Sequence, residues 1–173
     1  MKLGEKELDR IFCMMGKKYK IKKLILKAVA ITESSLDERA YRYEPGFWNR
    51  YMKGKPEWEG RDMAEVSASY GLMQLMYPTA TWLGWKGTGE DLYNPVVHIE
   101  LGAKLLRKLL DNVKLEPSAL WAIQTSLAQY NGGAWKNPDK FGKLRTQKYV
   151  DKVLDNWCKL RKKETEECSE DKD

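Results

Sequence analysis

Ser69-Tyr70-Gly71-Leu72-Met73-Gln74-Leu75-Met76 breaks the pattern of the chain around it. Almost everywhere else, apolar residues recur every three or four positions, the spacing of an amphipathic helix. Here Leu72, Met73, Leu75 and Met76 crowd around a glycine and a glutamine. Gly71 admits a positive φ or a close backbone approach. Gln74 carries both a donor and an acceptor, which suits a ligand hydroxyl or amide. The other reading is a core helix filled by the four apolar side chains, with Gln74 on its rim. Just downstream, Pro78 opens a short helix that Gly84 closes.

Upstream, Leu3, Leu8, Ile11, Phe12 and Met15 predict a first helix ending at Gly16. Ile21, Leu24, Ile25, Ala28, Val29 and Thr32 predict a second, which runs straight into Glu33-Ser34-Ser35. A carboxylate beside Ala30 and Ile31 is partly desolvated, which raises its pKa and makes Glu33 a candidate general acid. A solvated carboxylate at a helix end is the plainer alternative. Residues 40–65 are aromatic, charged and broken by Pro45, Gly46, Gly54, Pro56 and Gly60; they read as an excursion with one short helix near 46–53.

Downstream, Asn94-Pro95 supplies an N-cap and a first-turn proline. The helix behind it carries Val97, Leu101, Leu105 and Leu109 on one face and ends near Asp111-Asn112. Pro117-Ser118 starts another helix through Leu120, Ile123, Leu127 and Tyr130, stopped by Asn131-Gly132-Gly133. Tyr130 is placed to donate its hydroxyl to a carboxylate and Asn131 to bind a ligand, unless this segment is merely a helix C-cap. A last helix spans about 146–161, with Val150, Val153, Leu154 and Trp157 inward; the polar tail from Lys163 reads as disordered. No alternating run is long enough to predict a strand, and nothing divides the chain.

Composition narrows the class. A length of 173 residues fits one domain. No apolar run approaches a membrane span, and a single histidine excludes a His-rich metal centre. The net charge of +6 is uneven: residues 1–30 hold nine Lys/Arg against three acids. Such a patch attracts a polyanion or is simply a solvated helix face. Cys13, Cys158 and Cys168 have no zinc-site spacing and read as buried thiols, although a Cys13–Cys158 bridge is conceivable if the terminal helices meet. The N-terminus lacks the continuous apolar stretch of a signal peptide.

Taken in order, E-S-S, G-L-M-Q-L-M, N-P-x-x-H-I-x-x-G-x-x-L-L, Y-N-G-G and Y-V-x-x-V-L resemble the lytic transglycosylase (SLT) family of the lysozyme superfamily, over roughly residues 21–160. The resemblance implies a mainly α, lysozyme-like (SLT/goose-type-like) domain over residues 1–162 with a glycan-binding cleft, followed by the tail 163–173. It makes Glu33 the catalytic acid/base, with Ser34 and Tyr130 supporting it. Tyr130 matches the tyrosine that bonds the catalytic carboxyl. Met73 and Gln74 match the sugar-contacting pair, Asn131 is a cleft neighbour, and Tyr149 is expected to line the cleft. The implied partner is the peptidoglycan glycan strand. No metal or organic cofactor, nucleic acid or integral membrane segment is expected, and the protein is expected to be a monomer. It would act in the periplasm or cell wall, as a phage-encoded protein or one released by a secretion apparatus. The chain departs from the family pattern at Ala68-Ser69, at Gly132 and, most of all, in the 40–65 excursion, whose aromatics either stack on sugars or pin the excursion to the body.

The reaction implied is cleavage of the MurNAc–GlcNAc β-1,4 bond with formation of a 1,6-anhydro-MurNAc end. A hydrolytic muramidase would need a second carboxylate, for which Glu44, Asp62, Glu65 and Asp91 are available. A non-catalytic wall-binding module is the reading from another class.

Overall fold

The computed structural model describes residues 3–113, 118–133 and 146–170, with side chains through residue 166. Pro117, the side chain of Cys168 and the end of the tail at 171–173 lie outside the described residues.

The architecture is mainly α. Helix α1 spans Glu5–Tyr19, and the Glu7 carboxylate accepts from the Gly4 backbone N–H at its start. It buries Leu8, Ile11, Phe12 and Met15, as their spacing predicts. It does not stop at Gly16 but at Lys20, in the left-handed region at φ 53. Gly16 instead lets the chain fold back tightly: a Cβ there would sit 2.7 Å from the Ile21 carbonyl oxygen. Helix α2, Lys23–Ser34, buries Ile25, Leu26 and the run Ala28-Val29-Ala30. It ends with Ser35 and Leu36 at φ 56 and 63, and their N–H groups close onto Ile31 and Ala30 carbonyls.

A three-stranded antiparallel sheet follows, which the sequence did not disclose. Strands β1 (Tyr41–Tyr43), β2 (Ala68–Tyr70) and β3 (Leu75–Met76) run in the order β1-β2-β3. Arg42 pairs with Ser69, and Tyr70 with Leu75. Residues 71–74 are therefore the turn between β2 and β3, not a core helix. The excursion between β1 and β2 holds α3 (Pro45–Phe47), a π-turn at Trp48–Met52, a 3₁₀ turn at Pro56–Trp58 and α4 (Met63–Val66). After β3 come α5 (Tyr77–Trp82) and a 3₁₀ turn at Glu90–Tyr93.

Helix α6, Pro95–Asn112, divides the interior. Asn94 caps it through Val96 N–H, as expected. Ile99, Ala103 and Leu106 pack into one core with α1, α2 and parts of α7 (Ala119–Gly132) and α8 (Gln147–Glu170). Leu101, Leu105 and Leu109 pack into a second with the sheet and the excursion. Helix α8 lies along α2, burying Val150 and Val153. It continues to Glu170, past the boundary expected near residue 161 and into the tail expected to be disordered. Ion pairs at helical spacing, Lys159–Asp155 and Lys162–Glu166, support the extension, and Lys23 on α2 pairs with Glu164.

Cys13 and Cys158 are both free, so no bridge joins them, and Cys158 is exposed rather than buried. No helix among the described residues is long and apolar enough to cross a membrane.

Candidate active site

Glu33 occupies the last turn of the apolar helix α2. The residue is half-buried. Desolvation there raises its pKa above the ordinary 4.5; a hydrogen bond from Tyr149 and the positive charges of Arg42 and Lys152 oppose part of the rise. The Tyr149 hydroxyl donates to Glu33 Oε1 at 2.8 Å.

Helix α8 provides this contact as part of a clasp over the end of α2. One turn after Tyr149, Lys152 Nζ donates to the Thr32 carbonyl at 3.5 Å. A turn further on, Asn156 Nδ2 donates to Thr32 Oγ1 at 3.0 Å. Positions 149, 152 and 156 share one face of a helix, so a single surface of α8 positions the acid.

Ser34 ties the acid's helix to the glycine turn. Its hydroxyl lies 2.8 Å from the Leu72 carbonyl and 3.2 Å from that of Ala30, one proton between two acceptors. The turn is tight for a specific reason. Gly71 has φ +60, and a Cβ there would stand 2.9 Å from the His98 ring. His98 is fully buried, with Nδ1 2.8 Å from the Leu92 carbonyl. That acceptor assigns the proton to Nδ1, and burial pushes the imidazole down to about 4, so it stays neutral. Gln74 closes the turn at φ 47, and its Nε2 donates to the carbonyls of Gly71 and Ala40 at 3.0 and 3.2 Å. The amide oxygen of Gln74 has no partner among the described residues.

Among the described residues, three of the four non-glycine residues at positive φ, namely Ser35, Leu36 and Gln74, border this site. Each such conformation costs roughly 1–3 kcal/mol.

Two expectations need correction. Tyr130 does not bond the Glu33 carboxyl: its hydroxyl donates to the Met73 carbonyl at 2.9 Å. Tyr149 makes the contact expected of Tyr130. Tyr130 still lies close enough for the Glu33 charge to raise its pKa, after burial, which is the larger cause. Both phenols are held protonated by burial and by the carboxylate, so both act as donors. The second correction concerns Met73. Its side chain is fully buried and turned away from the site, against Gly102 on α6, where a Cβ would meet its sulfur at 2.3 Å. What Met73 offers the site is its backbone carbonyl, through Tyr130.

The structure brings Glu33, Ser34, Gln74, Tyr130 and Tyr149 together. Asn131 sits exposed in the last turn of α7, with no hydrogen bond among the described residues. Arg42 and Lys152, whose charges reach Glu33, were missed. Arg42 stands in a strand too short to register as an alternation, and Lys152 follows Tyr149 by three on a helix whose phase toward Glu33 only the packing reveals. No cluster of metal-ligating side chains occurs among the described residues.

Chemically, the arrangement is a carboxyl whose pKa burial raises, a phenol that donates to it, and a turn presenting an amide oxygen nearby. A model of the transglycosylase SLT domain matches residues 10–152. That span takes in all of these residues and most of the chain. No curated protein matches. A mainly α, lysozyme-like fold and a family match of this extent agree with one another, and the chain belongs to the transglycosylase SLT domain family, whose activity is lytic transglycosylation of peptidoglycan.

Proposed function

We propose that the protein cleaves the MurNAc–GlcNAc β-1,4 bond with Glu33 as acid and then base, leaving a 1,6-anhydro-MurNAc end. Protonated Glu33 gives its proton to the leaving glycosidic oxygen. The acetamido oxygen of the same muramic acid stabilises the positive charge at C1. Ionised Glu33 then takes the proton of the C6 hydroxyl as O6 bonds to C1. No water is consumed, and the carboxyl returns to its starting state.

The observation that carries this reading is the mismatch between Glu33 and the other carboxylates considered for a second role. Glu33 is desolvated, which raises its pKa above that of an ordinary glutamate, the direction that a single acid/base needs. The Tyr149 hydroxyl meets the oxygen that carries charge midway through the cycle. The others are committed elsewhere. Asp62 caps α4 through Ala64 N–H, Glu65 accepts from Gly89 N–H and Asp91 holds Thr88 through its N–H and hydroxyl. Glu44 is ion-paired to Arg42 at 2.6 Å. In this reading the protein acts as a monomer on glycan strands in the periplasm or cell wall, without a cofactor.

Digestion of purified sacculi followed by mass analysis of the fragments tests it. Anhydro-ended fragments, one water lighter than hydrolysis products, are expected. Fragments with only reducing-end muramic acid would replace this reading with a hydrolase that uses a second carboxylate.

A further inference from the structure

The excursion between β1 and β2, where the chain departs most from the family pattern, encloses a cavity of about 370 Å³. Trp48 and Trp58 form its walls, with buried Met52 among its lining. Lys55, Glu59 and Arg61 bring polar groups to it.

This cavity is pre-organised. The Trp58 ring meets Tyr77 edge-on, with centroids 6.4 Å apart. Arg61 Nη2 donates to Tyr77 Oη at 2.7 Å, and its guanidinium carbon lies 5.3 Å from the centre of that ring. Tyr77 Oη in turn donates to the Gly87 carbonyl at 3.0 Å. One buried tyrosine thus fixes both an indole and a guanidinium before any ligand arrives, which lowers the ordering cost of binding.

Its place and chemistry define the ligand. Tyr77 is only three residues beyond Gln74, so the two lie at most about 10 Å apart along the chain. The residue that braces the cavity is therefore a near neighbour of Gln74. Indole faces suit the apolar faces of a pyranose, while Arg61, Glu59 and Lys55 suit its hydroxyl and acetamido groups. The lining is close to charge balance: Lys55 stands against Glu59, and Arg61 is paired with Glu65. That balance favours a neutral saccharide over a carboxylate-bearing peptide.

We propose that this cavity is a remote saccharide subsite, holding an N-acetylhexosamine ring of the strand beyond the part engaged at Gln74. The assignment rests on the glycan-cleaving reading above for its substrate class. The test measures binding of N-acetylglucosamine oligomers, trimer and hexamer, to the Glu33→Gln protein by calorimetry. Trp58→Ala and Glu59→Ala are each expected to weaken hexamer binding about tenfold, the scale of one lost ring or polar contact, with less than about a twofold effect on the trimer. Trp58→Phe should recover most of the loss. Glu59 is exposed, so its variant keeps the test open if Trp58→Ala fails to fold. Equal losses for trimer and hexamer, or none for either, would overturn the subsite, as would variants that weaken only a free muramyl peptide. Cleavage without anhydro ends, alongside Trp58-dependent hexamer binding, would sink the reaction assigned to Glu33 and leave the subsite standing.

Discussion

Tyr149 and Glu33 stand 116 residues apart in the chain and 2.8 Å apart in space, phenol oxygen to carboxylate oxygen. The pair sets the proton affinity of the acid from both directions. Burial of Glu33 under α8 favours the neutral carboxyl, and the phenol donated by the same helix favours the anion. An acid that must lose and regain a proton in one turnover needs neither form to be too stable.

Glu33→Gln should lower wall-clearing activity by at least about a hundredfold, the lower range for losing a general acid, while binding to sacculi persists. Its effect on stability has a defined sign. The folded pKa is raised, so ionising Glu33 costs folding free energy once the pH passes the ordinary 4.5 of glutamate. The variant should therefore melt above the native protein at pH 7, and the difference should shrink as pH falls below that value. Equal melting temperatures throughout the titration would contradict the burial argument.

Tyr149→Phe removes a donor that stabilises the ionised carboxyl. The Glu33 pKa should rise further, and the alkaline limb of the rate–pH profile should move to higher pH. A profile that only scales down, with its limbs in place, would mean the phenol does not tune the acid.

Tyr130→Phe should behave differently, because its hydroxyl serves the Met73 carbonyl. Leaving that carbonyl unpaired costs about 1–3 kcal/mol if it stays buried. The expected result is a lower denaturation midpoint and a raised KM with the pH profile unmoved. Coincident pH shifts in the two phenylalanine variants would place both phenols on the carboxyl.

Gly71→Ala should destabilise by roughly 2–4 kcal/mol, combining a left-handed alanine with overpacking. His98 offers no flexible end to yield: the contact is with its ring, held by the Leu92 carbonyl. Chemical denaturation measures the loss, and a change under about 0.5 kcal/mol, typical of an unconstrained surface site, would show that the turn can relax.

Helix-forming segments were legible because a repeat of three and four residues survives any tertiary arrangement. Glu33 was legible for a similar reason, as a carboxyl ending an apolar helix. The three strands were not: two have three residues and one has two, too few for alternation to show. The exchange of roles between Tyr130 and Tyr149 depends on how α7 and α8 are rotated about their axes, which local spacing does not encode. Met73 was misplaced because the inward or outward sense of a turn residue depends on Gly102, 29 positions away in the chain. The extension of α8 rests on charge pairs within a segment whose polarity alone suggested disorder.

The clasp of α8 over α2 also imposes an order of events. Until residues 149–156 have been synthesised and docked, Glu33 has neither its phenol nor its shield from water, and Thr32 lacks the two side chains that hold it. A nascent chain that has folded only as far as α7 lacks the Tyr149 hydrogen bond and the Lys152 charge on Glu33. The surroundings of Glu33 are therefore completed by one late helix, the last of the described elements to leave the ribosome.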